Sequence, residues 1–267
     1  MKIALFTGTA YRHLYYANTI AACGNVVLHV KTTRSNNLTD EVKGASYSAE
    51  DTRLLQEHSD LRLAKEREYF LSRAEEQSGI PMSLEVPMNE LNTEQVIDAV
   101  RKSAPDVVLV YGTGLIKSAL LSAMPKWVIN LHAGLSPYYR GGATLYWPVY
   151  FMQPQYVGYT LHIIDTQIDH GAILHQNRPE IKAGDTIHDL GCRTIVVAAA
   201  DTLKLLDKIK RNDIEFHEPH SAGRVFYEAD FKPYHLRVTD YLMKNGLFAE
   251  YLQHKDLFPD PRIIQQV

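Results

Sequence analysis

Cysteine is scarce in this chain of 267 residues, which contains only Cys23 and Cys192, far apart and without a CxxC partner. This scarcity excludes a disulfide-based scaffold and is typical of buried thiols in a reducing compartment. Hydrophobic runs of membrane-spanning length are also absent, and residues 1–6 form a short apolar run without a cleavable signal pattern. The sequence therefore predicts a cytoplasmic protein with no membrane partner.

A dominant charge of one sign is missing as well. The formal net charge is −3, with 22% charged and 45% hydrophobic residues, so we expect no broad basic surface that would attract nucleic acid. The glycine-rich dinucleotide fingerprint is absent, because Gly8 is the only glycine in the first turn, and NAD binding is not predicted. The remaining composition is that of an ordinary globular protein, long enough for a sizeable core.

Short apolar runs alternate with amphipathic segments along most of the chain. A strand, a helix and a strand are predicted at 2–7, 12–23 and 26–30, and such a unit favours a parallel sheet with helices over it. Further strands are predicted at 84–86, 106–111, 157–164 and 172–181 (the last antiparallel), and helices at 93–102, 117–124, 143–151 and 186–210, with Asn92 and Asp185 as caps. The charged segment 49–77 predicts one or two amphipathic helices after a polar loop at 32–48.

The predicted fold class is α/β, a Rossmann-like, mostly parallel sheet flanked by helices. We assign residues 1–210 to this main domain. From residue 211 the sequence becomes charged, aromatic and less periodic. The segment 211–267 is therefore predicted to be a small C-terminal appendage, with a helix at 241–253 that breaks near Gly246.

The stretch 128–142 begins as a short apolar run and ends in a loop of Gly, Ser, Pro and Arg. Side chains alternate along a strand, so Asn130 and His132 point to one face and Leu131 to the other. An amide can donate to a developing oxyanion, and an imidazole can donate to it or carry a proton. Alternatively, Asn130 simply ends the strand and His132 is a hydrogen-bonded turn residue.

A second loop, after the strand at 157–164, carries Asp165 and Asp169. Open parallel sheets bind their ligands at the carboxyl ends of their strands, so a carboxylate from this loop could orient His132 or relay a proton. The alternative is an Asx-turn pair with solvent-facing carboxylates. A zinc site is disfavoured, because the nearby histidines lack a recognised ligand spacing; they are His132, His162, His170 and His175.

Several motifs in order resemble the folate-dependent formyltransferase family, which includes glycinamide ribonucleotide transformylase, methionyl-tRNA formyltransferase and the sugar N-formyltransferases. The resemblance covers 106–181 well and the first strand-helix-strand unit loosely. Its motifs are Asn130-Leu131-His132, Leu135-Ser136-Pro137, Arg140-Gly141-Gly142, Gly158-X-Thr160 and Asp165-X-X-Ile168-Asp169-X-Gly171-Ala172-Ile173-Leu174.

This resemblance implies formyl transfer from N10-formyltetrahydrofolate to an amine, without a metal. Asn130 is then the amide that holds the formyl oxygen, and His132 hydrogen-bonds that oxygen and shuttles protons. Asp169 positions His132 and receives or relays the proton of the amine. Asn130, His132 and Asp169 are thus the expected catalytic residues.

The resemblance also implies a pterin pocket. Its wall would be the turn from Tyr111 to Ile116, and its hydrogen-bonding edge the backbone from Asp165 to Asp169. The expected donor-binding residues are Tyr111, Gly112, Leu115, Ile116, Leu131, Asp165 and Ile168, with Leu135 and Ile163 as further lining. Plain core packing is an equally good interpretation of Leu131, Leu135 and Ile163.

The sequence departs from the family pattern in three places. Ala133-Gly134-Leu135-Ser136-Pro137 replaces the usual Pro-Ser-Leu-Leu-Pro loop, which concerns the acceptor more than the reaction. His170 stands in the middle of the family's Asp-Thr-Gly. The charged segment 49–77 matches no family motif.

The tail after residue 210 is short and its Lys and Arg are offset by Asp and Glu, which argues against tRNA as acceptor. By elimination, the resemblance favours a nucleotide-linked (dTDP- or GDP-) amino deoxysugar, and a homodimer is the expectation from the sugar enzymes. Arg12, His13 and Lys31 are candidates to meet a phosphate, or are simply surface charges.

Two alternatives stay open at this point. One is a formyltransferase for another small amine, such as a siderophore or peptide precursor or a glycinamide ribonucleotide-like compound. The other is a catalytically idle folate- or nucleotide-binding paralogue. A pure binder has no need of Asn130, His132 and Asp169.

Overall fold

The computed structural model describes residues 1–34, 47–76, 79–165 and 167–267. Its nine strands in the described residues are β1 Lys2–Gly8, β2 Asn25–Thr33, β3 Ser83–Pro87, β4 Val107–Tyr111, β5 Trp127–His132, β6 Arg140–Gly141, β7 Tyr159–Ile163, β8 Ile173–Asn177 and β9 Val225–Phe226. Seven of them form one sheet in the order β3-β2-β1-β4-β5-β7-β8. Strands β1 to β5 run parallel, and β7 runs antiparallel to both β5 and β8. The predicted mostly parallel sheet is confirmed, as is the antiparallel last connection.

Helices cover both faces of this sheet. The α-helices of the described residues are α1 Tyr11–Cys23, α2 Ala49–Ala74, α3 Glu94–Ser103, α4 Ser118–Ala123, α5 Trp147–Tyr150, α6 Ile187–Lys210, α7 Pro233–Lys244 and α8 Leu247–Gln253. Leu109 of β4 packs on the side of α1 and α6, whereas Val108 and Val110 pack on the side of α3 and α4. Both faces of β4 are therefore buried, which explains its continuous run of apolar residues. None of the described helices is both long and apolar enough to cross a bilayer.

The charged segment forms a single helix, α2, whose first residue, Ala49, is the predicted one. It packs against α1 and α6 along a narrow stripe that includes Phe70, and against α7 through Leu55, while most of its other residues are exposed. Residues 32 and 33 of the predicted polar loop belong to β2, and 35–46 lie outside the described residues, as does residue 77.

Three local predictions are wrong. The helix predicted at 143–151 is only α5, because Ala143 has a φ of +53°, which a right-handed helix does not allow. Thr93, not Asn92, precedes α3; the Asn92 carboxamide instead accepts from the Lys117 N–H at 2.7 Å. Thr186, not Asp185, caps α6, in a reciprocal capping box with Asp189.

Residues after 210 pack back onto the main sheet. Strand β9 pairs with β6, and the last residues follow β8, where the Gln176 N–H donates to the Ile264 carbonyl at 2.6 Å. The predicted helix begins earlier than expected and is divided into α7 and α8 at Gly246, where φ is +74°. The break near Gly246 is therefore confirmed, while the domain boundary at 210 stays a prediction.

Candidate active site

The end of β5 brings the predicted amide and imidazole to one side of the sheet. His132 is 5% exposed and Asn130 is half-buried. Both side chains reach Asp169, which lies in the turn between β7 and β8. The His132 Nδ1 is 3.1 Å from Asp169 Oδ2, and the Asn130 Nδ2 donates to Asp169 Oδ1 at 3.1 Å. The structure thus places the three residues predicted to be catalytic in direct contact.

Asp169 is the centre of this arrangement. Its Oδ2 also accepts from the Gly141 N–H at 2.9 Å, and the His162 Nε2 lies 3.5 Å from its Oδ1. Burial alone would raise the pKa of Asp169, but His132, His162 and the Gly141 N–H outweigh it and hold the pKa well below its usual range. Asp169 is therefore a carboxylate at neutral pH. We call Asn130, His132, His162 and Asp169 the Asp169 network.

The imidazole of His132 faces oxygen on both sides. Its Nε2 lies 2.8 Å from the Tyr139 carbonyl and its Nδ1 faces Asp169. A neutral imidazole has only one N–H, so both contacts are hydrogen bonds only when the imidazole binds a second proton. Burial lowers the pKa of His132, although Asp169 opposes that effect. The second proton is accordingly weakly held, and its loss leaves a nitrogen lone pair facing an oxygen.

His162 has a role that the sequence analysis missed, since its position two residues after Thr160 was considered only for zinc. Its Nδ1 donates to the Ile163 carbonyl at 2.9 Å, so its Nε2 is free to accept from Asn130 Nδ2 at 3.1 Å. His162 and Asp169 together therefore fix the orientation of the Asn130 amide. In the part of the chain that the structure describes, no group of three or more His, Cys, Asp and Glu side chains is arranged to hold a metal ion.

Arg140 also went without a role in the sequence analysis. It is 5% exposed; its Nε donates to the Ile168 carbonyl at 2.8 Å and its Nη1 to the Ala222 carbonyl at 2.5 Å. The first contact holds the turn that carries Asp169, whose own φ is +44°. The second ties this turn to the segment before β9. Because these acceptors are backbone carbonyls, no side-chain motif in the sequence indicates the two contacts of Arg140.

The residues expected to bind the donor divide into two groups. Tyr111, Ile116 and Leu131 are buried in the two apolar layers of the sheet, and Ile163 is packed against one of them. Leu135 is fully buried as well, at 0% exposure. In the structure, these side chains therefore belong to the apolar core.

The other expected donor-binding residues lie at the surface of the same edge. Leu115 is 73% and Ile168 42% exposed, and Gly112 adopts a φ of +70°. Asp165 accepts from the Gln167 N–H at 2.8 Å, which is the Asx-turn considered as the alternative, and contacts His170. The role of these residues in donor binding stays a prediction.

Curated relatives match about half of the chain. It is 31% identical over 136 residues to a methionyl-tRNA formyltransferase of Geotalea daltonii, with 49% of this chain and 42% of that protein covered. It is also 31% identical over 126 residues to a dTDP-4-amino-4,6-dideoxyglucose formyltransferase of Mycobacterium bovis, with 46% and 51% covered. The chain spans about half the length of these relatives.

Solved structures share the fold. A phosphoribosylglycinamide formyltransferase from Anaplasma phagocytophilum superposes with a TM-score of 0.57 at 15% identity, covering 85% of this chain and 98% of that chain. A 4-N formyltransferase from Francisella tularensis gives a TM-score of 0.54 at 19% identity, covering 86% and 77%.

The family is established by a broader match. The sequence model of the family described as formyl transferase matches residues 26–201, well over half of the chain. This range contains β5, the turn with Asp169 and all members of the Asp169 network. The resemblance found in the sequence motifs is confirmed: the chain belongs to the formyl transferase family.

Proposed function

We propose that the protein transfers the formyl group of N10-formyltetrahydrofolate to the primary amine of a nucleotide-linked amino deoxysugar. The observation that carries this proposal is the contact of Asn130, His132 and Asp169 at the carboxyl end of β5. An amide, an imidazole with two proton sites and a fixed carboxylate are the groups that acyl transfer to an amine requires. Simple binding of a folate or a nucleotide requires none of them.

The reaction requires a donor that stabilises an oxyanion and a group that transfers a proton. The amine nitrogen bonds to the formyl carbon, the carbonyl oxygen becomes an oxyanion, and the bond from that carbon to N10 then breaks while a proton passes from the amine to N10. One oriented donor to an oxyanion contributes about 3 kcal/mol. The N–H groups of His132 and Asn130 supply such donors, and Asp169 keeps His132 able to take up and return the proton.

In the structure these donors are engaged internally. The Tyr139 carbonyl occupies Nε2 of His132, and both N–H groups of Asn130 are directed at His162 and Asp169. We propose that the formyl oxygen replaces the Tyr139 carbonyl at His132. The loop between β5 and β6 must then shift when substrate binds, which suits a site whose imidazole is only 5% exposed.

Two comparisons support an amino sugar as acceptor. One curated relative is named for a dTDP-4-amino-4,6-dideoxyglucose. A sugar 3N-formyl transferase, with a TM-score of 0.51 and 18% identity, was solved in the presence of dTDP and 5-N-formyl-THF. A dTDP or GDP carrier, the N10-formyltetrahydrofolate donor and a homodimer are parts of our proposal, with no nucleic acid partner.

The test is direct measurement of formyl transfer. The protein is incubated with N10-formyltetrahydrofolate and a panel of dTDP- and GDP-linked 3- or 4-amino deoxysugars, with glycinamide ribonucleotide as the competing acceptor. We expect one sugar to gain the mass of a formyl group, and this gain to be lost in His132→Ala. Formylation of glycinamide ribonucleotide alone would contradict the proposed amino sugar acceptor. Folate binding without transfer to any amine would favour the idle paralogue.

A further inference from the structure

A second group of charged residues lies at the same edge of the sheet as the Asp169 network. It consists of Arg12, Arg34 and Arg62, which we call the arginine cluster. Arg12 lies in the first turn of α1, just after β1, and Arg34 directly follows β2, while Arg62 projects from α2. The carboxyl ends of parallel strands are where open α/β sheets bind ligands. The charged helix that the sequence motifs did not explain thus contributes to this edge.

Positive charge exceeds negative charge in this cluster. Arg12 forms an ion pair with the buried carboxylate of Glu66, and Arg34 pairs with Glu228 at 2.9 Å. Arg62 makes no ion pair with any residue of the described ranges, although Glu66 follows it by one helical turn. Arg62 is exposed, so its guanidinium group is accessible to a ligand from solvent. Arg62 lies one turn before the partner of Arg12 on α2, and Arg34 follows the strand that pairs with β1, so the three arginines are neighbours at this edge.

His13 forms the floor beneath these arginines. Its ring fills the space between Gly8 and Gly112, where a Cβ on either glycine would come within 2.3 Å of a ring nitrogen. The ring is 7% exposed, contacts Tyr111 edge-on at 4.6 Å, and its buried Nδ1 has no hydrogen-bond partner among the described residues. Buried polar atoms without a partner call for an explanation, and a ligand is one.

His13 is neutral in this setting. Burial, followed by the charges of Arg12, Arg34 and Arg62, lowers its pKa well below the ordinary value. A neutral imidazole can donate one hydrogen bond without adding to the repulsion among the arginines. The floor therefore matches an anion with several oxygens better than a cation or an apolar group.

Two contacts lie between the helix that carries Arg62 and the catalytic strand. His58 precedes Arg62 by one turn of α2, and its ring lies 6.0 Å from that of Tyr146. Two residues before Tyr146, the Thr144 hydroxyl donates to the Ala133 carbonyl at 2.6 Å, next to His132. A molecule with an anionic group at Arg62 and an amine at His132 would therefore lie along one face.

We infer that the arginine cluster binds the phosphate groups of the acceptor, with Arg62 of α2 as the residue that sets their affinity. This inference rests on the proposed function, because it concerns the amine substrate of the same site. Guanidinium groups suit phosphate oxygens, which accept paired N–H donors, and three of them fit a diphosphate. Lys31, the other phosphate candidate of the sequence analysis, is engaged with Glu85 at 3.1 Å and does not join the cluster.

The test compares Arg62→Gln with Arg53→Gln, a matched change on the exposed part of the same helix, where Arg53 pairs with Glu57. Calorimetry with dTDP, dTMP and inorganic pyrophosphate measures binding to the full-length protein. We expect Arg62→Gln to weaken the binding of dTDP and of pyrophosphate about tenfold, and that of dTMP less. The control Arg53→Gln should bind all three with wild-type affinity. Equal affinities in the two variants would overturn the inference.

Steady-state kinetics separate this inference from the proposed function. Arg62→Gln should raise KM for the nucleotide-linked acceptor about tenfold while kcat changes little. A rise in KM for N10-formyltetrahydrofolate alone would assign the arginines to the carboxylates of the donor and overturn the inference. Binding of dTDP that depends on Arg62, in a protein that formylates no amine, would support the anion site and contradict the proposed function.

Discussion

The histidine–aspartate pairs His132–Asp169 and His175–Asp201 both contain a buried imidazole, and they differ in what faces the second ring nitrogen. In the active pair, His132 and Asp169, both nitrogens of the imidazole face oxygen. In the structural pair, His175 and Asp201, the His175 Nδ1 accepts from the Gln266 N–H at 3.0 Å and only Nε2 faces the carboxylate, at 3.4 Å. The structural pair is complete with one proton on its histidine, whereas the active pair needs two.

The partners of the two carboxylates differ as well. Asp201 accepts from Tyr159 at 2.6 Å, from Asn177 at 2.9 Å and from Lys204 at 2.7 Å, all on β7, β8 or α6. These contacts fasten α6 to the sheet. Asp169 instead lies in a turn and joins the end of β5 to the short strand β6, the latter through the Gly141 N–H. Loops can separate more readily than a helix packed on a sheet, so only the active pair can exchange its internal partners for a substrate.

Replacement of each histidine is expected to give the largest contrast. His132→Gln should lower kcat about a thousandfold, because it removes a proton carrier and a donor to the oxyanion. His175→Gln should leave kcat within about threefold at temperatures where the fold is intact, since its ring lies outside the Asp169 network. The measurement is formyl transfer at saturating substrates, with circular dichroism as the control for folding. Similar losses of kcat in both variants would contradict the distinction between the active pair and the structural pair.

The structural pair should matter for stability. Asp201→Asn removes the buried carboxylate that accepts from Tyr159, Asn177 and Lys204, and a hydrogen bond to a charged group contributes about 2 kcal/mol. We expect the free energy of unfolding in urea to fall by about that amount, with little change in kcat for the folded protein. Asn177→Ala, which removes one donor to Asp201 and leaves the charge, is the milder control. A loss of activity without a loss of stability would assign Asp201 to catalysis.

Another buried histidine, His29, sharpens the comparison because no carboxylate in the described part of the chain pairs with it. His29 is 5% exposed and hydrogen-bonds the Thr7 hydroxyl at 2.8 Å. Burial, and then the charge of Lys31, lowers its pKa to about 4. Between pH 6.5 and 4 the folded protein then binds fewer protons than the unfolded chain, so stability contributed by His29 is present above pH 6.5 and is lost as the pH falls.

Acidification from pH 7 to pH 5 should therefore cost about 2 kcal/mol through His29 alone. The measurement is the free energy of unfolding at both pH values for wild type and for His29→Gln. We expect the variant to be less stable at pH 7 but less sensitive to acid. Parallel pH dependences in the two proteins would show that His29 does not titrate between the folded and unfolded states in this range.

The sequence predicted those features that depend on local periodicity. Alternating strands and helices, and the shared face of Asn130 and His132, follow from residue spacing alone. The partner of the Asn130 amide does not, because it depends on the β5–β7 register that sets Asn130 opposite His162. The Tyr139 carbonyl and the Gly141 N–H at the site are backbone groups, which every sequence contains.

Errors at element ends have a similar cause. Asn92 and Thr93 are both acceptable capping residues, and a long-range contact of Asn92 with the residue before α4 decides between them. The helix predicted at 143–151 has the right residue types, but the left-handed backbone at Ala143 belongs to the turn that brings Thr144 to the Ala133 carbonyl. Neither decision can be made from neighbouring residues alone.

The smallest expected effect concerns the cation beside the active pair. Arg140 contributes to lowering the pKa of His132 through its charge, and it positions the Asp169 turn through the Ile168 carbonyl. Arg140→Lys keeps the charge but loses the paired N–H donors, so kcat should fall about tenfold without a shift in its pH profile. Arg140→Gln removes the charge as well, so the pKa of His132 should rise and the limb of the kcat–pH profile that reports it should move to higher pH. In the structural pair, Lys204 contacts its carboxylate directly, so Lys204→Gln should lower stability and leave the pH profile of kcat unchanged. Identical pH profiles for wild type and Arg140→Gln would show that Arg140 acts on the active pair through position alone.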